Sequence, residues 1–569
     1  MAQENLIDPI TYYKAFVTQQ QESWVSNNFQ PPIPLSISNA IDLAKKNFLS
    51  KSIKALDSEQ LEKIGKIFRD TNIKYNSLTD KAKERLNNFY EHGLTVEVAH
   101  QPKLLGGERF LLNKIICGTS FSNLEPKLVP FFYIGDYDKV HSELIKTHFS
   151  LINSSSGFPI SIDSEMETEY LDGSIYTLPL PSRHFLDTIS NKILENYQFS
   201  LNVAVENGFQ KQLFEERVED VLRLIKIAHN NSETYTDWSM NILGMLTNVL
   251  HDEGYLFIRA SDPEYKKILG PVYDSITINR SNYVKEYQLQ REEMLKQGIK
   301  VPLRAIKDSF VPFHYECPTK GCHNRRITLN AEKKNGKETI SGTCETCKTN
   351  YVLTEDINSS DLSEHYLRLT PRVDSRQYLV SKTIKPAIHV SGTGETRYYS
   401  MTIPFLNRFD KEVQLPIIYF YNKTTLNNPI TRHLEQKLID EKIAEFFPNL
   451  KLLMKTVGKL NRLLKKDDLD NFENNKIKFI SLLAEQEIHI KNLKQNLTSY
   501  YNETTNEEHR KLITDYFSNM FGKITENKQG QEAVFHWIDM ALKNGFTNLF
   551  QEYKKIYRAY SAPSLSIFM

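Results

Sequence analysis

The sequence predicts an α/β protein whose core is a parallel β-sheet, and three observations lead to this prediction. Buried-strand patterns alternate with helical patterns, beginning with LTVEVA (94–99). Four of the five cysteines fall in two close pairs between residues 317 and 347. Beyond about residue 430 the pattern is almost wholly helical. The 569 residues exceed the roughly 250 to 300 at which one hydrophobic core stops growing, so several domains are expected.

These changes of pattern divide the chain into regions. Residues 1–93 are predicted to form a helical N-terminal region, 94–310 and 356–430 the sheet core with a helical insertion, 311–355 a zinc ribbon, and 431–569 a helical coiled-coil domain. The zinc ribbon is therefore expected to be an insertion between two parts of one core.

The charge balance and the hydropathy make some classes of partner less favoured. The 71 basic and 70 acidic side chains leave a formal net charge of +1, which gives no general electrostatic reason to bind nucleic acid. No apolar run reaches the roughly 18 residues of a membrane-spanning helix, and the start, MAQENLIDPITYYKAF, lacks the order of a secretion signal. We expect a cytoplasmic protein without a membrane partner.

Three segments of the N-terminal region repeat apolar residues at three- and four-residue steps, which predicts amphipathic helices. Ser or Thr residues are placed to cap their starts, and Gly93 is placed to cap the end of the third. The segments are ISNAIDLAKKNFL, SEQLEKIGKIFRDTNIKY and SLTDKAKERLNNFYEHG.

Buried strands are predicted where β-branched and apolar residues run together. The clearest segments are LTVEVA (94–99), KLVPFFYIG (127–135), YLFIRA (255–260) and VQLPIIYFY (413–421), and FPISID and YTLPLP are shorter candidates. Asp262 and Pro263 are well placed to start the helix after YLFIRA. Strands that alternate with helices indicate a parallel sheet, which binds ligands at the carboxyl ends of its strands.

The C-terminal region contains one extended helical pattern, IKFISLLAEQEIHIKNLKQNL. A seven-residue spacing is approximated by Ile477, Ile480, Leu483, Glu487, Ile490, Leu493 and Leu497. This spacing predicts a helical hairpin or a coiled coil. An amphipathic helix that packs on its own domain explains three heptads equally well, so both interpretations stay open.

The cysteine pairs predict a metal site. Cys317 and Cys322 form one pair, and Cys344 and Cys347 form the other. The residues between the pairs indicate a β-hairpin that turns at Asn335-Gly336. Four thiolates on two tight turns satisfy tetrahedral Zn²⁺, and with no ligand position left open the ion is expected to be structural. Free cysteines are the alternative.

This hairpin is also basic, which raises the question of nucleic acid. The basic residues are Arg325, Arg326, Lys333, Lys334 and Lys337. Zinc ribbons occur in nucleic-acid-binding proteins, but a charge-rich hairpin is more often a solvated face, which is the interpretation favoured here.

Polar residues follow the first predicted strand. His100 and Gln101 stand at its carboxyl end, and Gly106 and Gly107 come just before a helix that carries Lys114. Backbone amides at the helix start, supported by Lys114, could hold an anionic group that His100 also contacts. A lone histidine after a strand is more often a structural residue.

A second polar group follows the second predicted strand. Asp136, Asp138 and His141 are expected on the same edge of the sheet. An aspartate at a strand end is more often a helix cap, but two adjacent polar edges together favour a binding site.

A third candidate is the stretch HVSGTGETRYYS. Gly392 and Gly394 would let the backbone approach a ligand closely, and Glu395 could fix an amine or a hydroxyl group. Tyr398 follows one helical turn later. A glycine-rich turn is about as often a plain chain reversal as a ligand site.

Taken in order, these segments resemble the BshC family, the cysteine-adding ligases of bacillithiol biosynthesis, over most of the chain. VEVAHQPKLLGGERFLLNK resembles the family's strand-turn-helix, and VPFFYIGDYDKVHSEL is similar to its Val-Pro-x-Phe-Trp stretch. HVSGTGETRYYS resembles its Val-x-Gly-Pro-Gly-Glu-x-x-Tyr segment. The residues that fill family positions are Gln101, Gly107, Lys114, Gly392, Gly394, Glu395 and Tyr398. His100, Thr393 and the zinc ribbon depart from the family pattern.

The resemblance implies a Rossmann-like core, a C-terminal coiled coil that forms a homodimer, and a ligase that joins the carboxylate of cysteine to the amine of a small aminosugar-type acceptor. Because a free acid needs activation, ATP with Mg²⁺ is a candidate cofactor. His100, Gln101 and Lys114 would hold phosphate or carboxylate oxygens. Asp136, Asp138 or His141 would orient the amine or take its proton, and residues 392–395 would form the opposite wall.

Two alternatives keep the same fold. In the first, the protein binds RNA or an aminoacyl-type acceptor through the basic hairpin. In the second, it is a catalytically inactive scaffold that its C-terminal helices hold as a dimer.

Overall fold

The structure is a computed structural model of the chain. It describes residues 6–17, 33–50, 56–149, 158–163, 168–206, 211–334, 336–359, 361–425, 429–465, 472–521, 530–558, 561–563 and 567–568. Within this part the protein is a mixed α/β structure with one parallel and one antiparallel five-stranded sheet.

The helices of the first half are α1 (Pro9–Val17), α2 (Ile37–Ser50), α3 (Ser58–Lys74), α4 (Asp80–His92), α5 (Arg109–Leu124), α6 (Ser142–Ile145), α7 (Arg183–Glu206), α8 (Lys211–Asn230), α9 (Tyr235–Gly244), α10 (Pro263–Ile278) and α11 (Arg280–Lys296). Those of the second half are α12 (Arg376–Thr383), α13 (Thr393–Phe409), α14 (Pro429–Asp440), α15 (Pro448–Lys465), α16 (Phe472–Glu503), α17 (Glu507–Phe521), α18 (Gln531–Val534), α19 (Trp537–Asn544) and α20 (Gln551–Ile556).

The strands are β1 (Thr95–His100), β2 (Val129–Ile134), β3 (Lys146–Phe149), β4 (Phe158–Ser161), β5 (Leu256–Arg259), β6 (Phe310–Glu316), β7 (Arg326–Lys334), β8 (Lys337–Thr343), β9 (Asn350–Thr354), β10 (Leu369–Pro371), β11 (Ile388–Ser391), β12 (Ile417–Phe420), β13 (Thr424–Thr425) and β14 (Ile567–Phe568).

The parallel sheet has the strand order β12-β11-β1-β2-β5, and every neighbouring pair is parallel. The chain moves outward from β1 through β2 to β5, and then returns to β11 and β12 on the other side of β1. The direction of the winding therefore reverses between β1 and β11. In open parallel sheets this reversal is the usual ligand crevice, because the connections leave the two strand ends in opposite directions.

Helices cover both faces of the parallel sheet. On one face, strand residues such as Val98 and Phe132 share a core with Leu111 of α5 and Trp537 of α19. On the other face, Phe131 packs with side chains of α3, α4 and α10. Burial on both faces explains why these strands read as continuous apolar runs in the sequence.

The antiparallel sheet has the strand order β10-β6-β7-β8-β9. The predicted hairpin is present, since β7 and β8 pair up to Lys334 and Lys337 and Gly336 has a φ of +78°. Asn335 of the predicted turn lies outside the described residues. The sheet extends from residue 310 to residue 371, past the boundary predicted at 355.

The structure confirms most of the helix caps that the sequence predicted. Gly93 ends α4 in the left-handed conformation at a φ of +62°, and Thr79 caps the start of that helix by accepting from the Ala82 amide. The cap of α3 is Asp57 rather than a Ser or Thr. Asp262 caps α10 with Pro263 in the first turn, as predicted.

Two predicted strands differ from the structure. YTLPLP forms no strand; residues 175–177 are a short 3₁₀ turn, and Pro179 makes only an isolated bridge to Thr234. Prolines at 179 and 181 donate no hydrogen bond to a neighbouring strand, which explains the failure. FPISID does include β4, but β4 pairs with β3 outside the parallel sheet.

The C-terminal helices build a core of their own from α14 to α17. On α16, Leu493 and Leu497 are fully buried in that core, and Leu483 is fully buried in the core of the parallel sheet. Glu487 pairs with Lys14 of α1 at 3.4 Å. The heptad residues described here therefore pack within their own chain, while the side chain of Ile477 lies outside the described residues.

Within the described residues, no helix combines the length and the apolar character that crossing a membrane requires.

Candidate functional site

The reversal between β1 and β11 brings together two residues predicted from distant segments. The Lys114 ammonium on α5 lies 2.5 Å from Glu395 Oε2 on α13 and donates to the Ala99 carbonyl at 2.9 Å. The Lys114 side chain is only 1% exposed, and burial lowers its pKa. Two polar segments 281 residues apart in sequence thus form one ion pair.

The Gly-Thr-Gly-Glu segment, predicted as a glycine-rich turn, is the turn from β11 into the first residues of α13. Gly392 is the N-cap, and its amide donates to Glu395 Oε2 at 2.7 Å. A Cβ atom added at Gly394 would meet no atom within 4 Å, so this glycine borders open space. The start of a 17-residue helix therefore borders open space beside the ion pair, and Glu395 is the anion that its Gly392 amide holds.

Behind Glu395 lies a second buried carboxylate. His389 on β11 is fully buried; its Nδ1 lies 2.9 Å from Glu97 Oε2 and its Nε2 lies 3.6 Å from Glu395 Oε1. Burial alone would raise the pKa of Glu395, but Lys114 and His389 outweigh it and hold this pKa below its ordinary value. We call Glu97, Lys114, His389 and Glu395 the Glu395 cluster.

Glu97 is anchored from the far side by α12. Arg376 forms an ion pair with its Oε1, and Gln377 donates to its Oε2 at 3.0 Å. The Arg376 guanidinium also lies over the Tyr133 ring at 4.5 Å. Burial would raise the pKa of Glu97, but Arg376 and His389 lower it to about 2. The carboxylate is therefore ionised at neutral pH.

His100 lies close to the Glu395 cluster. Its Nδ1 is 2.9 Å from the Gln101 carbonyl oxygen, which can only accept, so Nδ1 carries the proton in the neutral ring. Burial, together with the charges of Lys103 and Lys114, lowers the pKa of His100 to about 4. At neutral pH its Nε2 is thus a lone-pair acceptor.

The Gly106-Gly107 turn does not offer the free amides that were predicted. The Gly106 amide donates to the Lys103 carbonyl at 3.0 Å and the Gly107 amide to the Leu104 carbonyl at 3.1 Å. The first amide of α5, at Arg109, donates to the Phe535 carbonyl. The C-terminal segment therefore covers this helix start, and an ATP phosphate would find no free amide at these three positions.

Asp136 is an internal cross-link between β2 and β5. Its fully buried carboxylate accepts from Arg259 Nε at 2.8 Å and from the Ser261 amide at 2.9 Å. The Ser261 hydroxyl donates to it as well. These contacts satisfy both oxygens, so the geometry favours a positioning role over contact with a substrate.

Asp138 belongs to a second group, which connects the two sheets. Its Oδ2 accepts from Gln101 Nε2 at 2.8 Å, and its Oδ1 accepts from Arg326 at 2.6 Å. Gln101 follows β1 directly, while Arg326 begins β7 of the antiparallel sheet. The predicted anion ligand Gln101 is thus engaged with a carboxylate.

The last two predicted residues lie near these groups. His141 precedes α6 and makes no side-chain hydrogen bond among the described residues, and burial lowers its pKa. Tyr398 packs edge-on against Tyr399, with ring centroids 4.7 Å apart, and burial raises its pKa well above the ordinary value. Both roles stay predictions.

The four predicted cysteines form one cluster. The sulfur atoms of Cys317, Cys322, Cys344 and Cys347 all lie within 4.8 Å of one another. Individual Sγ separations of 3.7 Å and 4.0 Å match the roughly 3.8 Å between sulfurs of a tetrahedral zinc site. The cluster could therefore bind a metal ion such as zinc. His323 lies outside it and packs on the Tyr170 ring.

A buried network fixes this cluster to the protein core. Glu316, one residue before Cys317, accepts from Lys266 Nζ at 2.7 Å, from the Tyr176 hydroxyl at 2.9 Å and from the Ser174 hydroxyl at 3.0 Å. Both Glu316 and Lys266 are buried. The residue before Cys317 is thus tied to the helix α10 through Lys266.

The sequence prediction missed Glu97, His389 and Arg376. One signal exists for Glu97, because it is a polar residue inside LTVEVA, a segment that otherwise reads as a buried strand, whereas no strand was predicted around His389. A buried charge must be paired, so Glu97 predicts a partner nearby. Nothing in the sequence alone identifies that partner as Arg376.

Compared with known protein families and with curated proteins, the chain matches no family model and no curated protein.

Proposed function

We propose that the protein is a ligase of the BshC type, built on a Rossmann-like core, that joins the carboxylate of cysteine to the amine of a small aminosugar-type acceptor. The new C–N bond replaces one C–O bond of the carboxylate, whose oxygen leaves with the phosphoryl group of ATP when ATP activates the acid. The observation that carries the proposal is the 2.5 Å ion pair between Lys114 and Glu395, at the reversal of a parallel sheet and beside the open space at Gly394. The family resemblance supplies the reaction.

The residues have complementary tasks in this proposal. The Lys114 ammonium and the start of α13 attract a carboxylate, while Glu395 accepts from the incoming amine. His100 Nε2, as a neutral acceptor, is the group that takes or orients a proton of the amine. His389 and Glu97 position Glu395 from behind through the distances given above.

The first experiment asks whether ATP activates the cysteine carboxylate. This question is open because the Gly106-Gly107 turn offers no phosphate site. The zinc-loaded protein is incubated with cysteine and a glucosaminyl-malate-like amine, with and without ATP and Mg²⁺, and the amide is measured by mass spectrometry. Glu395→Gln and Lys114→Met should abolish product. Glu264→Gln is a matched control, because its ion pair with Lys267 lies on the surface. Product from Glu395→Gln at the wild-type rate would end the proposal.

Zinc and the C-terminal helices have structural roles in the proposal. The zinc ion cross-links the two cysteine turns of a ribbon. A homodimer forms through the C-terminal helices, on which Leu452 and Ile488 remain 44% and 58% exposed. Ile488→Glu should convert the dimer to a monomer in sedimentation analysis. A monomeric wild type would contradict the proposed homodimer.

The nucleic-acid alternative makes opposite predictions. Arg326 is paired with Asp138, and Arg325 donates to the Leu171 carbonyl at 2.7 Å, so both contact the protein itself. Under the alternative, Arg325→Gln and Arg326→Gln should abolish RNA binding and flatten its salt dependence, and Glu395→Gln should leave it intact. An inactive scaffold should show no thermal stabilisation by cysteine, ATP or the acceptor.

A further inference from the structure

The outer face of the antiparallel sheet forms a groove that the proposed reaction does not use. It is a cavity of about 870 Å³ above β7, β8 and β9. Side chains alternate along these strands, so Leu329 and Ile340 point into the core while Thr328, Asn330 and Ser341 line the cavity. The volume falls in the range of small-molecule sites.

Neutral hydrogen-bonding side chains are as numerous in the lining as charged ones. Six lining residues carry a hydroxyl or carboxamide group: Thr328, Asn330, Thr339, Ser341, Thr343 and Asn350. Phe, Tyr and Trp are absent from the described lining residues, so a nucleobase would find no ring other than His314 on which to stack. Hydroxyl and amide groups on one face suit a ligand that itself carries several hydroxyl groups.

One cation of the lining, Arg325, has no carboxylate partner among the described residues. Lys139 pairs with Asp172 at 3.0 Å, and Arg326 is neutralised by Asp138. Arg325 has only the Leu171 carbonyl as partner of its Nη2, and its Nε is buried without a partner in the described part of the chain. A guanidinium in this state attracts an oxyanion.

A polyanion is disfavoured by the rest of the lining. Glu332 and Glu345 are exposed and line the same cavity. With Asp172 they balance the three basic residues, since three positive and three negative side chains sum to zero. Nucleic acid binding depends on a local excess of positive charge, which this groove lacks.

His314 adds a second unsatisfied atom. It lies on β6, opposite Thr328 of β7, and lines the cavity. Its Nδ1 is buried and has no hydrogen-bond partner among the described residues. Buried polar atoms are normally paired, so Arg325 Nε and His314 Nδ1 both indicate a missing polar partner.

We propose that this groove binds a hydroxyl-rich small molecule that carries one carboxylate or phosphate group, such as a sugar acid or a sugar phosphate. The oxyanion lies against Arg325, and the hydroxyl groups bond to His314 and to the hydroxyl and amide side chains of β7 and β8. This site is independent of the reaction proposed at the Glu395 cluster.

The test measures binding by the full, zinc-loaded chain in calorimetric titrations. The probes are D-gluconate, D-glucose 6-phosphate, D-glucose and inorganic phosphate, so carboxylate and phosphate sources are distinguished. Gluconate or glucose 6-phosphate should bind at least tenfold more tightly than glucose or phosphate alone. Arg325→Gln should weaken that ligand at least tenfold, and Thr328→Val with Ser341→Ala should weaken it several-fold.

Lys333→Gln is the matched control, because it removes a positive charge from β7 outside the lining and should leave binding unchanged. Three results would overturn the proposal: neither acid binds, phosphate alone binds as tightly as glucose 6-phosphate, or Arg325→Gln has no effect. If a single-stranded oligonucleotide binds in a salt-dependent way and Arg325→Gln abolishes this binding, the groove is a nucleic-acid site and not a site for a sugar acid or sugar phosphate. Glu395→Gln should still bind the ligand in the groove. The groove proposal can therefore be tested separately from the ligase proposal.

Discussion

Replacing Glu395 by Gln should destabilise the protein chiefly through the charge that it leaves behind on Lys114. The Lys114 side chain is 1% exposed, and its ammonium has two acceptors, Glu395 Oε2 and the Ala99 carbonyl. Without the carboxylate, only neutral acceptors, the Ala99 carbonyl and the new amide oxygen, face a buried positive charge. Removing one partner of a buried ion pair costs about 3 to 5 kcal/mol. Because Glu395 itself is 20% exposed, we expect the lower end of that range.

Lys114→Met should cost less, about 2 kcal/mol, since the Glu395 carboxylate keeps the Gly392 amide and His389. The double variant leaves no unpaired charge in the pair. Its cost should therefore fall short of the sum of the two single costs by about 2 kcal/mol, within the usual range for residues in contact.

Urea denaturation of the wild type and the three variants at pH 7, followed by circular dichroism, measures this coupling. Glu264→Gln serves as the control and should leave the midpoint unchanged, because its pair with Lys267 is exposed. Strictly additive costs would show that Lys114 and Glu395 do not share an ion pair, and the site would lose its central contact.

Further outcomes follow from other buried groups. If the four cysteines hold zinc as proposed, chelation should loosen the antiparallel sheet first, seen as new proteolytic cleavage between residues 317 and 354 together with the loss of one zinc per chain. Burial raises the pKa of Glu532 from 4.5 to about 7. The folded chain then holds a proton that the unfolded chain releases, so stability falls as the pH rises through this window. Glu532→Gln should gain about 3 kcal/mol relative to wild type between pH 4.5 and 7.5 in urea titrations. Asp136→Asn should lose about 3 kcal/mol of stability through Arg259, and unchanged stability would contradict its role as a cross-link.

Elements with a local signal could be predicted from the sequence. Gly93 ends α4 because a left-handed residue is needed there, and Asp262 with Pro263 begins α10 because both suit a helix start. The apolar runs at β1, β2, β5 and β12 identified four of the five parallel strands, since burial on both faces leaves a strong pattern. The strand β11 was not predicted, because its four residues include His389 and show no comparable apolar run.

Features that depend on distant partners could not be predicted. The start of α5 looked free in the sequence, yet the segment around Phe535 covers it. The heptads of α16 indicated a coiled coil or an amphipathic helix equally well, and only the packed fold shows that its leucines face their own chain. The sequence placed Lys114 and Glu395 at the same edge of the sheet but did not predict that they form an ion pair, because no sequence pattern gives the distance between two side chains.

The contact between Trp537 and the turn after β1 bears on how the chain matures during synthesis. The fully buried Trp537 indole donates to the Leu105 carbonyl at 2.7 Å, across 432 residues of sequence. During synthesis on the ribosome, the unit formed by β1, the following turn and α5 therefore stays partly uncovered until almost the whole chain has emerged. Nascent chains that stop before residue 537 would expose this apolar surface and should be the species that chaperones retain.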